Sequence, residues 1–305
     1  MKKQNILAID IGGSKLLVGI VDENGQILAS RKSLLHNPSK ERILNSIVTE
    51  CNELLHEGYD VSSLGISVPG LADSKTGMWV YACFSKISNF PIAKLLAKEF
   101  NRPVYIENDA NNCVYGEKMF GHTKNVSDFI WITVSNGVGS GIFLNNKLFS
   151  GWGGNAGEIG HINVVDNGFI CPCSNKGCLE AYASGPSIVR RFCEKTNTKT
   201  DGLTAKDIAE FAKRGNSAAI EIFTETGVYL GKAIAAAVNL LNVPTVILGG
   251  GISMAYELFE KSMLETVNEL VYRKANKSLT IKKTALNYEA SLIGAAAYAI
   301  SCSKK

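Results

Sequence analysis

No apolar run in the sequence approaches the ~20 residues a helix needs to cross a bilayer, which excludes a membrane span and implies a soluble protein. There is no basic block either. The 32 basic and 28 acidic residues are spread along the chain, and a formal charge of +4 offers no stripe that could track nucleic acid. The basic start MKKQN is followed by an apolar run that Asp10 interrupts, so it is expected to be a first strand and not a secretory leader. These absences point to a cytoplasmic protein with neither a membrane nor a nucleic-acid partner. Low-complexity segments and flexible linkers are also lacking.

Two familiar nucleotide-binding signatures fail on spacing. Gly227-Val-Tyr-Leu-Gly-Lys232 is one residue too short for a Walker loop and lacks the Ser or Thr after lysine. Asn136-Gly-Val-Gly-Ser-Gly141 gives G-x-G-x-G and not the dinucleotide fingerprint. Neither a P-loop nor a Rossmann site is present.

What the chain does have is length and core. At 305 residues with 46% hydrophobic content it is sized for two domains. Residues 6–27 alternate apolar stretches with turns (ILAIDI, GGS, KLLVGIV, DENG, QIL), which predicts a three-stranded meander with a hairpin at Asp22-Glu23-Asn24-Gly25. Residues 129–149 repeat the plan: FIWITV, SNGVGS, GIFL, NNK, LF. The offset is 122 residues from Gly19 to Gly141 and 123 from Asp10 to Thr133, so the two passages align with one small insertion. Two copies suggest two related domains that each lend a loop to a shared cleft.

Between the meanders, residues 41–55 have helical spacing, LGISVPG ends a strand, Pro91 opens a helix to Phe100, and RPVYIEND is another strand. Further on, residues 217–241 form a long Ala-rich helix, PTVILGGGIS a buried strand running into three glycines, and residues 290–300 a helix apolar nearly all round. Strand and helix alternate, so the fold class is α/β. The expected domains are 1–108, small and completed by a C-terminal helix at 290–303, and 109–289, larger and carrying a metal loop at 161–180.

Four candidate sites stand at the C-terminal ends of predicted strands: Asp10-Ile-Gly-Gly-Ser14, Glu107-Asn-Asp109, Ser135-Asn-Gly-Val-Gly-Ser140 and Gly249-Gly-Gly251. Loops of glycine and hydroxyl residues let backbone N–H groups approach an anion. A fifth group is chemically distinct. His161, Cys171, Cys173 and Cys178 follow H-x9-C-x-C-x4-C, one imidazole and three thiolates that can close a tetrahedral zinc site. Such metal would stabilise a loop with little core of its own.

The order DIGGSK, VPG, ENDANN, TVSNGVGSGI, GEIGH, CPCSNKGCLE, LGGGIS resembles the ROK family of sugar kinases and repressors, over residues 6 to about 297. The resemblance implies two actin-like (ribonuclease H-like) ATPase domains with a cleft between them, and transfer of the γ-phosphoryl group of ATP to a sugar hydroxyl. In that pattern Asp109 is the general base, and Asn108, Asp109, Glu158, His161 and Glu180 bind the sugar. The nucleotide falls to Asp10, Gly12, Gly13, Ser14, Lys15, Thr133, Asn136, Gly137, Val138, Gly139, Gly249, Gly250 and Gly251. Asp10 would hold Mg²⁺ through water, the phosphates would rest on Gly12–Ser14 and Gly137–Gly139, and the last three glycines would leave an opening for adenine and ribose. In the family the zinc is structural, so His161 would join it to the sugar.

Two alternatives stand beside these roles: Asp109 as a helix N-cap, and Glu180 as a first-turn residue next to the metal loop. The resemblance also brings homodimers, and repressors with an added DNA-binding domain. A first nucleotide-site strand beginning by Ile6 leaves the expectation of a chain without one. Ser174 stands where the pattern often has glycine, and residues 79–90 (WVYACFSKISNF) depart from the family's N-L-P-x-W stretch near the sugar. Glucose and the 6-hydroxyl are the default; N-acetylmannosamine, N-acetylglucosamine, fructose, mannose, allose and β-glucosides remain open.

Overall fold

The computed structural model describes residues 5–35, 39–82 and 87–304, and the chain divides into two units. The first takes the described residues up to Asn125, Gly151–Asn155 and those from Glu289 onward; the second takes Val126–Ser150 and Ala156–Tyr288. Of the divergent stretch 79–90, residues 83–86 lie outside the described residues.

The first unit opens on β1 (Asn5–Ile11), β2 (Lys15–Val21) and β3 (Ile27–Leu34), the expected antiparallel meander. Its hairpin is closed by the Asp22 carboxylate, which accepts from the Asn24 and Gln26 N–H groups, with Gly25 at a φ of +82°. Helix α1 (Lys40–His56) leads to β4 (Val61–Val68), which lies parallel to β1. A small sheet follows, β5 (Leu71–Asp73), β6 (Met78–Ala82) and β7 (Ile87–Phe90), then α2 (Ile92–Phe100). Strand β8 (Val104–Asn108) adds in parallel beside β4 and runs straight into α3 (Asp109–Phe120). The main sheet has the order β3-β2-β1-β4-β8. Its central strands are covered on both faces, which is why they read as near-continuous Ile, Leu and Val.

The second unit repeats this plan. Strands β9 (Phe129–Val134), β10 (Val138–Leu144) and β11 (Lys147–Leu148) form its meander. After α4 (Glu180–Ala183), α5 (Gly185–Thr196), α6 (Ala205–Lys213) and α7 (Ser217–Leu241) comes β12 (Thr245–Gly249), parallel to β9. Helix α8 (Glu260–Leu270) and β13 (Thr280–Lys283) complete a sheet of order β11-β10-β9-β12-β13, the same as in the first unit. The two glycines of the rejected Walker match are packing residues on α7. A Cβ at Gly227 would sit 2.1 Å from Ser262 Oγ, and one at Gly231 2.6 Å from Thr266 Cβ, so the pair lets α8 lie close along α7.

The last helix, α9 (Ala290–Ser303), belongs to the first unit, where it packs against α3, β1, β4 and β8. It has no polar face because its leucine, isoleucine and alanine side chains are buried almost throughout. Glycines let it come very close. A Cβ at Gly65 would lie 2.1 Å from the Ala295 carbonyl oxygen, and one at Gly294 2.2 Å from that of Asn112. Because α3 packs on α9, the division falls after Asn125 and not at the expected 108/109 junction. No helix among the described residues is long and apolar enough to cross a membrane.

Candidate active site

In the first unit, the parallel strands β1, β4 and β8 bring Asp10, Ser67 and Asn108 to one edge, the C-terminal one where ligands bind in α/β folds. Asp109 follows as the first residue of α3. The N-cap is Asn108, not Asp109: its Oδ1 accepts from the Ala110 and Asn111 N–H groups, and its Nδ2 donates to the Gly70 carbonyl. The Asp109 carboxylate is thus not the cap; it accepts from the neighbouring Ala110 N–H at 2.9 Å, and its own backbone and the Asn108 side chain also bond it.

The rest of the E-N-D-A-N-N motif is scaffolding. Glu107, buried, accepts from the Asn108 N–H and from Asn111 Nδ2, while Asn112 Nδ2 donates to the carbonyls of Ile66 and Glu107. These bonds tie the start of α3 to β4 and β8 and fix where Asp109 stands.

Asp10 and Asp109 are half-buried and electrostatically coupled. Burial pushes Asp109 from 3.8 up to about 6, and the charge of Asp10 adds to the rise. Asp10 is also pushed up to about 6 by burial, against a hydrogen bond from Ser291 that works the other way. Two carboxylates poorly paid back by donors make a site that a cation would relieve, and Mg²⁺ commonly takes one or two carboxylates while keeping its waters. The pair therefore fits the ion implied by the resemblance.

The turn at Gly12–Ser14 is narrower than expected. The Gly12 N–H donates to the Lys15 carbonyl at 2.8 Å, so it closes the turn and is not offered to an anion. Gly13, Ser14 and Lys15 are exposed.

In the second unit, Thr133 on β9 and Gly139 on β10 flank the Ser135–Gly137 turn, with Asn136 at its exposed tip. Here too one expected donor is already engaged: the Val138 N–H donates to Glu180 Oε2 at 2.9 Å. Gly137 lets this oxygen come close: a Cβ there would lie 2.7 Å from it, so a side chain at 137 would push the Glu180 carboxylate aside. Glu180 is a first-turn residue of α4, as the alternative had it, and its other oxygen lies 4.0 Å from Cys171 Sγ. Thus one carboxylate links the metal loop to the β9–β10 loop. A cavity of about 480 Å³ opens beside it, lined by Asn136, Glu180, Ser184, Ser187 and Arg190 among others.

His161, Cys171, Cys173 and Cys178 come together with all four ligand atoms within 4.8 Å of one another. Cys171 Sγ is 3.7 Å from His161 Nδ1, and Cys173 Sγ is 3.7 Å from Cys178 Sγ. Zn–S bonds of ~2.3 Å in a tetrahedron give edges of about 3.8 Å, so the donor set fits Zn²⁺. Nδ1 faces the thiols, and Nε2 stands 3.8 Å from Glu158 Oε2. The loop has more core than its glycines implied, since Cys171, Cys178, Val164 and Leu179 are buried in the unit's main hydrophobic cluster. Ser174 sits at a φ of +74°, the left-handed region that glycine prefers. Gly157 and Gly160 hold Glu158 and His161 against β10, where Cβ atoms would meet the Ser140 and Val138 carbonyls at 2.2 and 2.0 Å.

The three glycines after β12 do not share one role. Gly249 is buried, and a Cβ there would fall 2.1 Å from the Trp131 ring; Gly250 has a φ of +84° with its open side against the Val134 carbonyl. Only Gly251 faces room, with Ser135 Oγ 3.7 Å away, so the expected opening narrows to that position.

Residues 6–301 match the model of the ROK family. The chain belongs to the ROK family. The Thermotoga maritima glucokinase is 31% identical over 97% of both chains. A Streptomyces griseus ROK glucokinase, solved in complex with glucose and AMPPNP, superposes with a TM-score of 0.86 at 32% identity, over 96% of this chain and 98% of that one. The ROK relatives also include a regulator: the Bacillus subtilis xylose repressor is 30% identical over 94% of this chain and 75% of its own length. The doubly repeated sheet is the actin-like ATPase fold of the ROK kinases.

Sequence reasoning missed Ser291, whose hydroxyl bonds Asp10, Ser67, whose hydroxyl meets that of Ser291, and Asn112 beneath the Asp109 turn. Ser67 lies inside the quoted GISVPG stretch, so a polar residue in a buried strand was the available signal. Ser291 lies in an apolar helix 281 residues away from Asp10, and nothing local marks it.

Proposed function

We propose that this ROK protein is an ATP-dependent sugar kinase, with a hexose such as glucose as acceptor at its 6-hydroxyl. The observation that carries the reading is the Asp10–Asp109 pair at the ends of β1 and β8, both pushed up to about 6 by burial, with the charge of Asp10 adding to the rise at Asp109. A carboxylate that binds protons this readily is matched to general-base work near neutral pH, worth roughly 10²–10⁴ in rate.

In the transfer, the sugar hydroxyl oxygen bonds to the γ-phosphorus as its proton passes to Asp109. The bond from phosphorus to the bridging oxygen breaks, and ADP leaves with that electron pair. Mg²⁺, when bound, neutralises charge on the phosphates, and Asp10 is the residue that would hold it through water. Gly13, Ser14, Lys15, Thr133, Asn136, Gly137, Gly139 and Gly251 serve the nucleotide. Asn108, Glu158, His161 and Glu180 pair with sugar hydroxyls, each of which needs a partner once desolvated. His161, Cys171, Cys173 and Cys178 would hold Zn²⁺, which would brace the segment that carries three of those groups.

The xylose repressor among the relatives supports a second reading, a sugar-responsive regulator. Sugar binding alone has no use for a costly buried base, which favours the kinase. ADP release over a panel of hexoses, amino sugars and disaccharides, with and without Mg²⁺, tests the proposal. Mg²⁺-dependent ADP formation with one class of sugar is expected; sugar binding with no turnover would leave the regulator.

A further inference from the structure

Asp10 is not left alone at the end of β1. Ser291 Oγ donates to Asp10 Oδ1 at 2.7 Å, and Ser291 Oγ is also 2.7 Å from Ser67 Oγ. A hydroxyl carries a single proton, so with that of Ser291 given to the carboxylate, the Ser67 proton must point to Ser291 Oγ. The order is then fixed: Ser67 donates to Ser291, and Ser291 donates to Asp10.

The three groups come from different elements, and the fold sets each one. Ser67 is the register partner of Asp10 on the adjoining strand β4, with a fully buried side chain. Ser291 lies in the first turn of α9. Its place over the strand ends follows from the two glycine contacts three and four residues further along that helix. Gly294 admits the Asn112 carbonyl, and Gly65 admits that of Ala295, so α9 is locked in height against both α3 and β4. A helix held that closely presents the residue one turn earlier at a fixed spot.

We infer that Ser291 is a positioning residue for the metal-side carboxylate: the Ser67–Ser291 hydroxyl chain holds Asp10 in the orientation in which it receives the divalent cation of the metal–nucleotide complex. This rests on the kinase reading. One oxygen of Asp10 is committed to Ser291, which fixes the plane of the carboxylate and leaves its other oxygen to face the ion or its waters. Groups that hydrogen-bond a metal-side carboxylate in this way typically change metal affinity about 10–100-fold when removed.

The test is direct binding of Mn²⁺–ADP to the full chain, followed by electron paramagnetic resonance of free Mn²⁺, with ADP formation measured in parallel. Ser291→Ala is expected to weaken Mn²⁺–ADP binding roughly tenfold while ADP binding without metal stays at the wild-type value. Ser291→Thr, which keeps the hydroxyl, is expected to restore most of the loss, and Ser67→Ala to weaken binding less than Ser291→Ala. Thermal unfolding of each variant reports whether α9 has kept its seat. Ser291→Ala binding Mn²⁺–ADP as tightly as the wild type would overturn the inference and leave the kinase reading standing. An equal loss with and without metal would assign Ser291 to helix docking and overturn it too. A wild-type protein that bound no Mn²⁺–ADP would overturn both.

Discussion

The two five-stranded sheets share one strand order, yet they treat their carboxylates in opposite ways. At the end of β1 and β8, Asp10 and Asp109 are desolvated and repel each other, and few donors compensate them. In the second sheet the matching position to Asp10 is Thr133, and the nearby acid, Glu180, is satisfied by the Val138 N–H. The same scaffold thus holds one edge strained and the other at rest. The strained edge suits proton transfer, and the rested one suits holding a ligand still.

Breaking the strained edge carries the largest expected effect. Asp109→Asn is expected to lower kcat for sugar phosphorylation by roughly 10²–10⁴ while nucleotide binding persists. Stability should move the other way. Both aspartates bind protons more readily folded than unfolded, so their contribution favours folding below the ordinary 3.8 and is lost as pH rises through about 6. Asp109→Asn removes that penalty, and its Tm at pH 7.5 is expected to exceed the wild-type value, with the gain gone at pH 4.

The second unit is expected to depend on a metal instead. Cys171→Ser, or a strong chelator, is expected to remove one zinc per chain and several kcal/mol of stability, read by colorimetric zinc release and thermal unfolding. Hydrogen exchange should show the opening at 161–180 and across α4, with β1, β4 and β8 still protected.

Glycine substitutions sharpen the contrast within the second sheet. Gly249→Ala forces a methyl into the Trp131 ring and is expected to cost about 1–3 kcal/mol in denaturant unfolding. Gly251→Ala, with room beside it, should leave stability near wild type and raise the KM for ATP. The smallest effect is expected at Ser174. Its φ of +74° is strained for any side chain, so Ser174→Gly should stabilise the metal loop by about 1 kcal/mol, seen as a higher Tm with zinc bound.

Much of this was legible in the residue order. Both meanders, the helix at 217–241 and the buried last helix fall where periodicity put them, because each is a long run with a single period. The metal cluster was legible for a different reason: four soft ligands at close spacing have few other uses. What stayed hidden depends on contacts distant in sequence. Gly12 and Val138 looked like free donors until their N–H groups were found bonded to Lys15 and Glu180. Gly249 read as part of an opening until Trp131 filled its place. Asp109 yielded the N-cap to Asn108 because the helix starts one residue earlier than a cap at 109 requires, with Asp109 already its first residue.

The protonation of Asp109 itself tests the central claim most directly, followed by carbon-13 NMR of carboxyl-labelled aspartate in the ligand-free protein. The account predicts a midpoint near the value of about 6 set by burial and by Asp10, and a lower midpoint in Asp10→Asn, which removes the neighbouring charge. An Asp109 that titrated near the ordinary 3.8 and ignored Asp10→Asn would contradict it.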